Sequence, residues 1–195
     1  MKIIYLGCCF LTLALTACTS NSIKPDKPKD ITSEIQNRMG IMYAKGLGVT
    51  QNYHKAFEFY MKAAIQNDPQ AQNNVAFCYV SGQGVEKDYS KAMAWYLKAA
   101  KQNYGEAQNN IGVMYEKAKG VPQDYTKAME WYLKAASNGN ANAKNNIGNL
   151  YYYGKGVPQD YTKAIKWYQS INSNDVYLQE EYIFHLLWQM PMGEG

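Results

Sequence analysis

The chain of 195 residues is 47% hydrophobic and 18% charged, which supplies a core and excludes a highly charged, aromatic-poor disordered chain. That length suits one domain or one repeat array and excludes two large domains. The net charge of +4 comes from lysines scattered along the chain, with no stripe massed to grip a phosphate backbone, so no nucleic-acid partner is expected.

Residues 1–17 read as an export signal. Met1 and Lys2 lead into an apolar run from Ile3 to Leu15, shorter than the ~20 residues that span a bilayer and suited to a secretory h-region. The run ends Leu15-Thr16-Ala17-Cys18, which resembles the lipobox of bacterial lipoproteins. The resemblance implies cleavage before Cys18, lipid on its thiol and a fatty acid on the new amino terminus. Several acyl chains anchor stably where one does not, so the membrane would be met through the lipid anchor only. Thr19, where an Asp would retain the protein, implies the outer membrane of a Gram-negative envelope, facing the periplasm.

Residues 18–31 carry the lipidated Cys and a polar spacer with Pro25 and Pro28, in which twelve residues reach at most about 40 Å. Cys8 and Cys9 would leave with the signal, so Cys78 has no intrachain partner and no disulfide framework is expected.

Residues 32–172 repeat one unit with a period of 36. Tyr43, Tyr79, Tyr115 and Tyr151 keep this spacing, as do Gly48, Gly84, Gly120 and Gly156, and Tyr60, Tyr96, Tyr132 and Tyr168. Tyr dominates the aromatics, 18 against 5 Phe and 4 Trp, which suits half-buried surfaces because a ring is covered while a hydroxyl still bonds. The units run 35–70, 71–106, 107–142 and 143–172, each read as two helices. Helix A, about 70–81 in the second unit, has apolar residues at i, i+3 and i+4: Val75, Cys78, Tyr79. Glycine stops it at Gly46, Gly82 and Gly154, with Ala118 the exception. Asn52, Asp88, Asp124 and Asp160 then stand where a short acceptor caps helix B. The stripe Tyr89, Ala92, Tyr96, Ala99 alternates large and small residues, which lets helices interlock. The expected fold is all-α, a right-handed α/α superhelical solenoid of helix-turn-helix repeats.

Tyr79, Gly82-x-Gly84-Val85, Asp88-Tyr89-x-Lys91-Ala92 and Trp95-Tyr96-x-Lys98-Ala99-Ala100 together resemble the Sel-1-like repeat, a relative of the tetratricopeptide repeat. The last unit departs from the pattern by reading Ile171-Asn172 for the double Ala, so its helix B is expected to be reshaped. Residues 173–195 contain an apolar stretch that ends at Pro191 and reads as a capping helix.

Catalytic and metal chemistry find little support. The two histidines, His54 and His185, sit in no catalytic motif, and Glu181 with His185 lacks the further ligands a metal needs. Cys78 fills the slot of Met42, Met114 and Leu150 and reads as a small buried hydrophobe. The expectation is no enzyme, no cofactor and no metal. Some cysteine-rich relatives are described as weak β-lactam-binding or hydrolysing proteins, but the paired cysteines, Ser-x-x-Lys and Lys-Thr-Gly are missing here.

Turning about 100° per residue from Val75 puts Asn73, Phe77 and Val80 opposite the core. In tetratricopeptide-like stacks the A helices line the concave surface. The resemblance therefore implies a partner-binding face of Asn37, Ile41, Asn73, Phe77, Val80, Asn109, Val113, Glu116, Asn145, Asn149 and Tyr152. A ladder of Asn can hold an extended peptide backbone. Equally, these Asn serve as polar residues on solvated helices or as bonds between repeats, and for the adjacent Asn74, Asn110 and Asn146 the inter-repeat bond is the better reading. The expected function is a lipid-anchored scaffold that binds a protein or peptide. Alternatives from the resemblance are an immunity protein against a secreted phospholipase toxin and a regulator of peptidoglycan remodelling.

Overall fold

The computed structural model describes residues 31–171. Cys18 and the segment 173–195, with its expected cap, lie outside the described residues. Eight helices follow in order: α1 (Ile31–Lys45), α2 (Tyr53–Ala64), α3 (Pro69–Ser81), α4 (Tyr89–Ala100), α5 (Gly105–Glu116), α6 (Tyr125–Ser137), α7 (Ala141–Tyr153) and α8 (Tyr161–Gln169). No strand occurs among the described residues. Odd helices are the A helices, even ones the B helices. Each packs against the next in chain order, which makes an all-α repeat solenoid.

The turns follow from local chemistry. Every B helix starts at a capping side chain that accepts from the third amide onward: Asn52 from Lys55 at 3.0 Å, Asp88 from Lys91 at 2.9 Å, Asp124 from Lys127 at 2.9 Å and Asp160 from Lys163 at 2.8 Å. Gly82 and Gly154 end α3 and α7 in the left-handed region. Ala118 adopts the same region, φ 53°, after α5. The second glycine of the turn has a different task. A Cβ on Gly84 would fall onto the backbone carbonyl of Tyr53, and one on Gly120 or Gly156 onto Tyr89 or Tyr125, so each turn presses against the helix B of the preceding unit. α8 is the shortest helix, nine residues, where the double Ala is lost.

The core alternates rings and gaps. Tyr60, Tyr132 and Tyr168 lie across Gly40, Gly112 and Gly148, occupying space a Cβ would need, while in the second unit Ala76 faces Tyr96. Ala63, Ala99 and Ala135 are fully buried beside Ala71, Ala107 and Ala143, which lets consecutive units approach closely. Val75, Ile111 and Ile147 fill one slot along the stack, and complete burial of such a side chain contributes roughly 1.5–3 kcal/mol.

Candidate functional site

A trough is lined by α1, α2 and α3 together with Glu106 of α5. Its volume is about 430 Å3, and its lining combines apolar Ile41, Ala44, Ala56 and Phe77 with polar Tyr60, Gln70, Asn74 and Glu106. Two residues expected from the sequence to face a partner, Ile41 and Phe77, meet here. Phe77 is 49% exposed, an apolar ring left open to water on an otherwise well-packed helix.

The Asn ladder is corrected. Asn37, Asn73 and Asn109 are only 2%, 4% and 6% exposed and do not stand open to a peptide. Asn74 donates to Asn37 at 2.9 Å, Asn110 to Asn73 at 3.0 Å and Asn146 to Asn109 at 2.9 Å, so the ladder joins each unit to the next. The physical reason is that an A helix in a stack is covered on two sides, by B helices and by the neighbouring A helix. A wheel drawn from one core face places the second seam in solvent. Asn145 is half-buried, as are Val80, Val113, Glu116, Asn149 and Tyr152. The inter-repeat reading of Asn74, Asn110 and Asn146 matches the observed bonds.

Glu116 and Asn149 are engaged within the chain. Tyr132 donates to Glu116 at 2.7 Å and Tyr168 to Asn149 at 2.8 Å. Burial opposes ionisation of Glu116, but hydrogen bonds from Lys117 and Tyr132 outweigh it and hold the carboxyl below the usual carboxylate range. Burial and the Glu116 carboxylate in turn push the Tyr132 hydroxyl far up. In the first two units the same slots hold Ile41 and Ala44, then Phe77 and Val80, none of which accepts from Tyr60 or Tyr96.

Burial pushes the Cys78 thiol up to about 11, so it stays protonated near neutral pH and is no nucleophile. Among the described residues no three His, Cys, Asp or Glu side chains converge on a metal-sized site. The sequence reading missed the buried glutamines: Gln72 donates to the Ala64 carbonyl at 3.2 Å and Gln108 to Ala100 at 3.3 Å, closing the first two B-to-A turns. Their recurrence one period apart was a signal, since a polar residue kept at a buried slot needs a fixed partner.

The Sel1 repeat family model matches residues 33–68, 69–104, 105–140 and 141–173, boundaries about two residues earlier than those read from the sequence. The crystal structure of a Sel1 repeat protein from Oxalobacter formigenes is similar over 81% of this chain and 65% of that one, with 34% identity and a TM-score of 0.72. A second similar structure is c5321, a protective antigen present in uropathogenic Escherichia coli strains that displays an SLR fold. It matches over 80% of this chain and 33% of its own, with 33% identity and a TM-score of 0.71. This chain therefore spans under two thirds of the one and a third of the other. No curated protein matches.

Proposed function

Because the chain belongs to the Sel1-repeat family, whose members mediate protein–protein interaction, we propose that it is a non-enzymatic scaffold that binds a protein partner on its A-helix face. In this reading Cys18 is lipidated and the repeats stand in the periplasm on the outer membrane, held by the spacer 19–30. The observation that carries the binding reading is the trough between the first two units, where Phe77 and Ile41 offer apolar surface beside the polar side chains of Tyr60, Gln70 and Asn74. Elsewhere on the A face Asn73 and Asn109 bond between repeats and Glu116 bonds Tyr132.

The test is affinity capture from envelope extracts with the detergent-solubilised full chain and its Phe77→Asp variant, matched in helicity. One protein enriched by the parent and lost with the variant supports the reading. Equal capture by both removes the A face as the binding surface. Location is tested separately: Cys18→Ala should abolish fatty-acid labelling and release the protein from membranes, and a labelled, membrane-bound variant refutes the lipid anchor.

A further inference from the structure

The four units treat one tyrosine hydroxyl in different ways. Tyr132 and Tyr168 give theirs to Glu116 and Asn149, acceptors supplied by the A helix of the same unit. The first unit places Ile41 and Ala44 in those slots, and the Tyr60 hydroxyl makes no hydrogen bond to any described residue. Tyr60 is only 7% exposed, yet it lines the trough. A buried Tyr O–H ordinarily finds a partner. Here no described residue offers one, while the space in front of it is open.

The neighbouring amides are half used in a complementary way. Gln70 accepts from Asn37 at 3.0 Å, which leaves its amino group free to donate. Asn74 donates to Asn37, which leaves its carbonyl oxygen free to accept. One free donor and one free acceptor, with Tyr60 as a second donor, complement the C=O and N–H of a peptide backbone. Lys45 and Glu106 both line the trough, so its lining carries no net charge and a neutral main-chain carbonyl suits Tyr60. The cavity of about 430 Å3 lies within the range that houses small ligands and anchor side chains.

We propose that this trough is the anchor pocket for an extended segment of the protein partner, with an apolar side chain between Ile41 and Phe77 and a main-chain carbonyl accepting from Tyr60. The inference rests on the A-face scaffold reading above. Burial pushes the Tyr60 hydroxyl up to about 12, with Cys78 adding to the effect, so it is a proton donor at any physiological pH.

The probe is a phage-displayed library of 12-residue peptides selected on the purified full chain, with the enriched peptides resynthesised and their Kd values measured by fluorescence anisotropy. The enriched peptides should share an apolar residue. Their Kd should rise about five- to ten-fold on Tyr60→Phe, the loss of one neutral hydrogen bond. Phe77→Ala should weaken binding more than about ten-fold. Tyr132→Phe should leave it unchanged, because that hydroxyl is already occupied. Tyr60→Phe removes a group that bonds to no described residue, so its helicity serves as the folding control. Wild-type affinity in Tyr60→Phe overturns the proposal, and if Phe77→Ala still weakens binding, the A-face reading survives that failure. A library that yields no peptide also overturns it, and leaves the capture experiment to decide the scaffold reading.

Discussion

The ring of Tyr132 lies where a side chain on Gly112 would begin: a Cβ built there stands 2.5 Å from the ring carbon Cε1. Gly112→Ala must therefore push a buried ring out of its packing. Ala is the better helix former by about 1 kcal/mol, which offsets part of an overpacking cost of about 1–3 kcal/mol. The second unit, with Ala76 opposite Tyr96, marks how far the pair can adapt. The expected outcome is a net loss of up to about 2 kcal/mol, read as a lower urea midpoint with unchanged slope.

Asn73→Ala should destabilise the stack by about 1–3 kcal/mol, because the Asn110 amide loses its acceptor inside the seam. A double-mutant cycle with Asn110→Ala should return a coupling of about 0.5–1.5 kcal/mol. A coupling near zero would show that the two amides do not bond in solution.

The second glycine of the A-to-B turn, compared between the first two units, separates conformational strain from steric contact. Gly48 and Gly84 share a left-handed backbone, φ 71° and 75°, but a Cβ at Gly48 meets nothing within 4 Å, whereas one at Gly84 meets the Tyr53 backbone. Gly48→Ala should cost about 1–2 kcal/mol from backbone strain alone, and Gly84→Ala clearly more. In the third unit Ala118→Gly relieves that strain and should stabilise by about 0.5–1 kcal/mol. Thermal unfolding of the three variants side by side checks the order.

Acid sensitivity should include Glu116 alongside the helix caps Asp88, Asp124 and Asp160, whose carboxyls are held low by the backbone amides they accept from. The folded pKa of Glu116 is depressed, so its contribution is fully present above the ordinary value of 4.5 and is lost as pH falls through the lower folded value. Stability of the parent should drop between about pH 5 and pH 2 more than that of Glu116→Gln, measured by urea unfolding at each pH. Equal slopes for the two proteins would remove Glu116 from the acid response.

Most of the fold was legible because each feature repeats. The B-helix caps at Asp88, Asp124 and Asp160, the glycine stops and the shortened last helix all follow from short-range chemistry that a single period displays. The outward face of the A helices was legible only in part. Turning about 100° per residue away from Val75 places Phe77 and its equivalent Ile41 outward, and both line the trough. Asn73 and Asn109 were misplaced because periodicity marks one buried side of a helix, and a stacked helix has two. The open hydroxyl of Tyr60 was invisible in the repeat consensus. It emerges only when the residues around an invariant tyrosine are compared from unit to unit, since what differs is the acceptor and not the tyrosine.

The seam bonds have a consequence for how such a chain changes length. Asn37 accepts from Asn74 as Asn73 accepts from Asn110, so excision of one whole period would bring Asn37 beside Asn110 and restore the same pair. Copy number can thus vary by in-frame recombination without inventing a new junction. Individuality resides instead in the few outward positions that the junctions do not constrain, and a deletion spanning Phe77 would leave a sound array with a different face.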